Sequence, residues 1–385
     1  MKSERIAAIV GVAESDLGVV PDKTVLQLQA QAAKKALEDA GFTKDDVNAL
    51  FTAGNWAWSP NLMLAEYLGI QPNYTDGTNI GGSSFEAHVS HAVEGIRSGL
   101  FDVALITYGS TQRSSHSRQK RNDGAPLVPL TEQYERSFGL PTPVGAYALA
   151  AMRHMYQYGT SSEQLAEIAV ATRKWASMNE KAMMREPIDI EDVLASRWIA
   201  EPLHLLDCCL VTDGGGAIVV ASAKAAANAK KPPVWILGHG ETHTHNTIAN
   251  MPDLTVTGAR ESGRQAFEMA GVTHNELDVV EIYDSFTITV LLTLEALGFC
   301  KPGEGGDFVS GQRTAPGGEF PMNTNGGGLS YCHPGMYGIF LLIEAARQLR
   351  GECGHRQVKN AKLALVNGTG GVLSSASTVI LGSDG

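Results

Sequence analysis

Short apolar runs and longer amphipathic stretches alternate along the chain, and glycines close most of them. Ile6–Val12 is almost continuously apolar and reads as a buried strand ending near Gly11. Thr24–Ala40 carries apolar positions at helical spacing and stops at Gly41. A strand is predicted over Val47–Thr52 and a short helix over Leu62–Leu68, ended by Gly69. After Asn79-Ile-Gly-Gly-Ser-Ser84 a helix places Phe85, Val89, Ala92 and Ile96 on one face and stops at Gly99. Asp102–Tyr108 is then a buried strand closed by Gly109.

The C-terminal part repeats this order. Val234–Leu237 reads as a strand, a helix runs to Ala270 before Gly271, and Val279–Ile282 is a strand. Asn325-Gly-Gly-Gly328 precedes Tyr331-Cys-His333, a helix to Leu349 and a strand over Leu363–Val366. The residues agree as well: Ala36-Leu-Glu-Asp-Ala-Gly-Phe-Thr43 matches Ala266-Phe-Glu-Met-Ala-Gly-Val-Thr273, and Asn79-Ile-Gly-Gly82 matches Asn325-Gly-Gly-Gly328. Each half alternates strand and helix, which predicts two mostly parallel sheets with right-handed crossovers. Packed about a pseudo-twofold, the helix tips near Ser83 and near His333 would face one pocket.

The pattern breaks between Ser110 and Asp207. Thr111–Asp123 is polar and basic, Thr160–Met184 reads as a helix, and the remainder looks irregular. This predicts an N-terminal half over 1–110, an inserted segment over 111–207 covering the pocket mouth, a return of the first half over 208–230 and a C-terminal half over 231–385. Asp213–Val220 is the returning strand and Lys230-Lys-Pro-Pro233 the linker.

Composition narrows the class. With 385 residues, 43% hydrophobic, the chain buries a large core, and its 42 glycines suit many tight strand-to-helix turns. A net charge of −11 without a long basic tract argues against nucleic acid. The N-terminal apolar run is too short to span a membrane or serve as a leader, and the five cysteines form no CxxC pair. A reducing, cytoplasmic protein without disulfides, zinc finger or other metal is expected.

The richest stretch chemically is Asn323–Gly338. Glycines let the backbone approach a ligand, and a histidine at a helix tip is placed for acid–base or oxyanion work. A glycine-rich turn with a structural histidine is the plainer reading. His239, His243 and His245 could hold a metal, but no carboxylate stands at a fitting spacing, and a polar pocket wall suits them better. Cys208 and Cys209 read as strand core, and Cys300 and Cys353 as packing or surface. Trp56 and Trp58 read as interface or pocket cover.

Taken together, Asn79-Ile-Gly-Gly-Ser-Ser84, Thr212-Asp-Gly-Gly-Gly-Ala217, Tyr283-Asp-Ser-Phe286, Asn325-Gly-Gly-Gly328 with His333-Pro-Gly335, and Gly368-Thr-Gly-Gly371 resemble the thiolase superfamily. Within it the chain is similar to the sterol-carrier-protein-like (lipid-transfer) branch. The resemblance implies an α/β thiolase fold, a duplicated βαβαβαββ unit in five layers α-β-α-β-α, usually dimeric. It also implies a coenzyme A thioester as substrate and no redox cofactor. Members that perform thiolysis use a nucleophilic Cys, a His or Asn, a Gly-His-Pro histidine and a second Cys. Here only His333 is kept. The nucleophile position falls on Gly82 or Ser83, the His/Asn position on Tyr283, and the second cysteine near Asn367.

Without that thiol, retro-aldol cleavage of a β-hydroxyacyl-CoA is the expected chemistry, since it needs a base and an oxyanion site but no covalent intermediate. Cysteine-less lipid-transfer aldolases resemble this chain in Tyr283-Asp-x-Phe-Thr and in Leu297-Gly-Phe-Cys300. Tyr283 and His333 are the expected acid–base pair, with a helix N-terminus lowering the tyrosine's pKa. Cys332 is the alternative nucleophile for a thiolytic acyltransferase. Tyr331 and Tyr337 could donate to the thioester oxygen or simply pack. Gly82, Ser83, Ser84, Asn325, Asn367 and Gly370 are expected around the substrate, and Asp284 either orients Tyr283 or His333 or bonds nearby backbone. Arg113, Arg118, Lys120 and Arg121 could meet the coenzyme A phosphates or form a solvated charge run. The resemblance further implies a homodimer and a small zinc-ribbon/OB-fold (DUF35-type) partner. A non-catalytic acyl-CoA- or lipid-binding subunit is the third reading.

Overall fold

The apolar runs form one mixed sheet of nine strands in a computed structural model that describes residues 5–54, 56–115, 130–140 and 143–384. In chain order the strands are β1 (Ala7–Glu14), β2 (Ala49–Thr52), β3 (Tyr74–Asp76), β4 (Val103–Ser110), β5 (Gly214–Ser222), β6 (Val234–His243), β7 (Val279–Ile282), β8 (Leu363–Gly370) and β9 (Ser375–Gly382). Their spatial order is β3-β2-β4-β5-β1-β6-β9-β8-β7. Beyond β3 this is a palindrome. β2-β4-β5-β1 mirrors β7-β8-β9-β6, with the parallel and antiparallel pairs in the same places. The parallel bridge Val280–Met322 stands where β3 pairs with β2 in the other half. The halves touch within the sheet through only two residue pairs, Ala8–Trp235 and Ile9–Val234.

The longer helices are α1 (Val25–Ala40), α2 (Ser84–Arg97), α3 (Val144–Tyr158), α4 (Ser162–Ser177), α5 (Ala259–Ala270), α6 (Thr287–Leu297) and α7 (Gly338–Arg350). Thr24 and Gln27 close a capping box at the start of α1, and Gly41 ends it at φ +76. α1 packs outside the first half-sheet and α5 outside the second, while α2 and α7 lie between and touch strands of both halves. That gives the layers α-β-α-β-α. α7 buries Ile339 through Ala346 on every side, as a helix in a central layer must.

Several elements differ from the sequence-based expectation. The helix over Thr160–Met184 is confined to Ser162–Ser177, and α3 precedes it unforeseen. Its buried face is largely alanine (Ala146, Ala148, Ala150, Ala151), which gives a weak apolar signal. β6 runs past Leu237 to His243, carrying His239 and His243 with it. The helix after the glycine run begins at Gly338, not at His333. A π-turn over Gly327–Tyr331 and an extended Cys332 (φ −162, ψ 154) come first.

α4 clamps this glycine run. A β-carbon on Gly326 (φ +102) would lie 2.5 Å from Ala176 Cβ, and Asn179 Nδ2 donates to Asn325 O at 2.8 Å. Arg173 Nε donates to Ser330 Oγ at 2.8 Å.

Glu86 is an odd component of the centre. It is wholly buried in the first turn of α2, and both carboxyl oxygens lack a hydrogen-bond partner among the described residues. Burial pushes its pKa up to about 8. The unfolded chain releases this proton near pH 4.5, so between there and about 8 the folded state binds more protons and stability falls as pH rises. The full linkage is at most about 5 kcal/mol. Glu86→Gln should therefore melt several degrees above the parent at pH 9 and close to it at pH 5. Equal melting shifts at both pH values would contradict this.

Candidate active site

Tyr283 directly follows β7, and its backbone N–H is tied to Asn367 O at 2.9 Å. His333 comes from the segment before α7 and is held twice by Thr212. The His333 N–H donates to Thr212 Oγ1 at 3.1 Å, and the Thr212 N–H donates to His333 O at 3.2 Å. These fixings bring Tyr283 Oη to 2.9 Å from His333 Nε2. The Tyr337 N–H donates to the same Oη at 3.1 Å, which directs the phenol's own proton toward Nε2. The rings of Tyr283 and His333 meet at 89°. Burial lowers the His333 pKa to about 4 and raises Tyr283 well above its usual value. At neutral pH the pair is phenol and neutral imidazole. The expected lowering of the tyrosine's pKa by a helix tip is thus reversed, because the helix starts five residues later and desolvation dominates.

The pair lies at the floor of a cleft of about 540 Å³. Gly81, Gly82, Thr369 and Gly371 form one side. Pro143, Val144 and Tyr147 line it as well, with Tyr147 Oη donating to Gly371 O at 3.1 Å and its ring 4.4 Å from that of Phe286. Cys208, Cys209, Leu210 and Ser285 complete the wall.

Other expected site residues fall elsewhere. Ser83 is fully buried, its Oγ bonded to Ile80 O and Ser375 Oγ, and Ser84 Oγ donates to Gly81 O at 2.6 Å, so neither hydroxyl serves the cleft. Gly370 packs against Ile80 O rather than lining the space. Asn367 is tied to Thr378 Oγ1 at 2.8 Å, and Thr369, two residues on, reaches the cleft instead. Asp284 neither orients Tyr283 nor His333. Its carboxylate accepts from the N–H groups of Gly328 (2.6 Å) and Leu329 (3.2 Å) and so shapes the glycine run, while burial raises its pKa to about 7. Asn325 and Tyr331 line a different, charged cleft. There Tyr331 Oη donates to Glu14 Oε1 at 3.0 Å and Glu14 pairs with Arg347. Asn325 Oδ1 accepts from Tyr337 Oη at 2.8 Å.

Cys332 is fully buried in the apolar core, and burial raises its thiol well above the ordinary range. In extended backbone, neighbouring side chains point to opposite sides, so a cleft-facing His333 sends Cys332 inward. Conversely, Cys208 and Cys209, read as strand core, line the cleft; burial holds Cys208 up to about 12, a thiol rather than a thiolate. An alkyl group on either cysteine would crowd the cleft whatever the mechanism, so substitution is the cleaner probe. Cys332→Ala should leave kcat within about twofold of the parent, whereas a nucleophile's removal lowers it by orders of magnitude.

Arg113 lies exposed beside the cleft mouth, donating to Val211 O at 3.3 Å; Arg118, Lys120 and Arg121 lie outside the described residues. His239, His243 and His245 do not line the cleft. His239 faces Glu94 at 3.4 Å, and His245 Nε2 is 2.9 Å from Val372 O. Among the described residues no group of three or more His, Cys, Asp or Glu is placed to hold a metal. Trp58 is fully exposed near the edge strand β3, away from the cleft. Thr212, Ser285 and Thr369 lie in or beside stretches that the sequence reading singled out, but their roles emerge only from the fold.

The geometry defines a doubled α/β protein with a polar-floored cleft between its halves. The family model for the thiolase N-terminal domain matches residues 7–224, and that for the thiolase C-terminal domain-like family matches 240–383. The 17-hydroxy-3-oxo-4-pregnene-20-carboxyl-CoA lyase of Mycobacterium tuberculosis is 35% identical over 90% of this chain and 92% of its own length. The acetyl-CoA acetyltransferase of Methanothermobacter thermautotrophicus is 30% identical over 98% and 99%. Among solved structures, an Ltp2-ChsH2(DUF35) aldolase superposes with a TM-score of 0.89 at 32% identity, covering 98% of both chains. The chain belongs to the thiolase family and has its fold.

Proposed function

We propose that this thiolase-family enzyme cleaves the C–C bond of a β-hydroxyacyl-CoA by retro-aldol chemistry. The observation that carries the reading is the neutral Tyr283–His333 couple at the floor of the cleft, facing a helix tip whose residue 82 has no side chain. The substrate's β-hydroxyl gives its proton to Tyr283 Oη while the phenol proton moves to His333 Nε2. The bond between the α and β carbons breaks, the β carbon leaves as a carbonyl, and the electron pair forms the thioester enolate. We assign the enolate oxygen to backbone N–H groups at the Gly82 helix tip. The proton returns from His333 through Tyr283 to the α carbon, releasing the shortened acyl-CoA. No co-reactant is consumed.

The relatives support this reading, since one is a carboxyl-CoA lyase and the structural neighbour an aldolase. The acetyltransferase relative keeps thiolysis in view, but Cys332 is in no position to serve it. A binding-only subunit would have no use for the proton couple. Arg113 at the mouth suits a coenzyme A phosphate.

We assign the enzyme to the cytoplasm; among the described residues no helix is long and apolar enough to cross a membrane. We also propose a homodimer, supported by the open edge of β3 with exposed Trp58, Leu62, Met63 and Tyr67 nearby. A DUF35-type partner is supported by the composition of the structural neighbour. The test is turnover of a panel of β-hydroxyacyl-CoA and β-ketoacyl-CoA thioesters by the chain alone and with such a partner. Carbonyl release from the hydroxy series without added coenzyme A is expected, and turnover of the keto series alone overturns the proposal.

A further inference from the structure

Gly82 sits where the helix tip meets Tyr283. A β-carbon there would lie 2.1 Å from Tyr283 Cε2, 2.5 Å from Cζ and 2.5 Å from Thr369 O. Backbone geometry does not ask for glycine at this position. Gly81, its neighbour, has φ +76, whereas Gly82 is not among the glycines with positive φ. The missing side chain therefore answers to packing alone.

The ring it would meet is not free to move. Tyr283 Oη is tied to His333 Nε2 and to the Tyr337 N–H, and the ring is wedged at near right angles between the rings of His333 and Tyr337. Its backbone is fixed at the end of β7 by the bond to Asn367 O. Tilting the ring away from a β-carbon at 82 breaks at least one hydrogen bond on Oη.

We infer that Gly82 is the positioning and specificity-determining partner of Tyr283: the cleft holds either a side chain at 82 or a tyrosine at 283 whose hydroxyl rests on His333, but not both. This deepens the proposed function and rests on it only for the chemical meaning of the choice. With glycine at 82 the cleft is committed to hydroxyl-proton chemistry. A nucleophilic side chain at 82 has no room until the ring is removed, so single substitution cannot convert the enzyme to acyl transfer.

The test is a double-mutant cycle with Gly82→Ala and Tyr283→Ala, read by thermal melting and by steady-state kinetics on the full chain. Gly82→Ala is expected to lower Tm sharply when Tyr283 is present and at most half as much in the Tyr283→Ala background, the remainder being the contact with Thr369 O. If the single variant fails to fold and the double variant folds, the same conclusion follows. In folded Gly82→Ala, kcat falls about 100-fold while KM stays within about threefold, because the pair is misplaced but the acyl wall is intact. Additive melting losses, equal folding failure of both variants, or unchanged kcat in Gly82→Ala overturn the inference. The melting cycle needs no substrate. A positive cycle beside a fully active Tyr283→Phe would sink the retro-aldol reading and leave the packing exclusion standing.

Discussion

Tyr283→Phe is expected to lower kcat for C–C cleavage by about 10³-fold while KM and Tm stay near those of the parent. The substitution removes one oxygen and keeps the ring that fills the space beside Gly82. The cleft walls from Tyr147, Phe286 and Leu210 are untouched, so binding of the acyl chain should survive. What is lost is the atom that meets the substrate hydroxyl and passes its proton to His333 Nε2, 2.9 Å away. The Tyr337 N–H also loses its acceptor, a cost to stability of about 1 kcal/mol against a transition-state loss several times larger. A drop in KM-dependent rate alone, with kcat preserved, would make Tyr283 a binding group only.

His333→Gln is expected to cost about as much, roughly 10³-fold in kcat, and to change the response to pH as well. Burial sets the His333 pKa near 4, so the parent's kcat/KM should be flat from neutrality down to about pH 5. An ordinary histidine base would give an acid limb near 6.5. Linkage has a definite sign here. In the unfolded chain this histidine takes a proton near 6.5, while in the fold it resists until about 4. The unfolded state therefore binds more protons between those values, and stability falls as pH drops through the window. His333→Gln removes that component, so parent and variant should converge in Tm as pH falls from 7 to 5 if the variant is the less stable at neutrality. An acid limb at 6.5 in the parent would mean an open, solvated imidazole.

The doubling was legible because each half carries the same punctuation: an amphipathic helix closed by Gly41 or Gly271, and a glycine-led tip before a central helix. Caps and periodicity are local physics and survive without coordinates. The Tyr283–His333 pair was legible for a related reason, as Tyr283 directly follows the strand Val279–Ile282 and His333 stands in the glycine-led polar stretch before the apolar run from Ile339. What could not be read was the direction of individual side chains. Whether Cys332 or His333 faces the cleft depends on an extended backbone at 332, and a helix starting there would have pointed them differently. The hydroxyls of Ser83 and Ser84 are consumed by Ile80, Gly81 and Ser375, partners that only the turn geometry provides. Cys208, Cys209 and Thr369 reach the cleft through long-range packing that has no local signature. The tyrosine's pKa is raised rather than lowered because burial outweighs the effect of the helix tip at Gly82 beside its ring.

One measurement bears most directly on the claim that this cleft breaks a C–C bond without an acyl-enzyme. The purified enzyme, with a DUF35-type partner where turnover requires it, is mixed with a β-hydroxyacyl-CoA in the absence of free coenzyme A. Products and intact protein are then followed together by mass spectrometry. One carbonyl compound and one shortened acyl-CoA per substrate consumed are expected, with the protein mass unchanged throughout. An acyl adduct on the chain, or turnover that begins only when free coenzyme A is supplied, would contradict that claim.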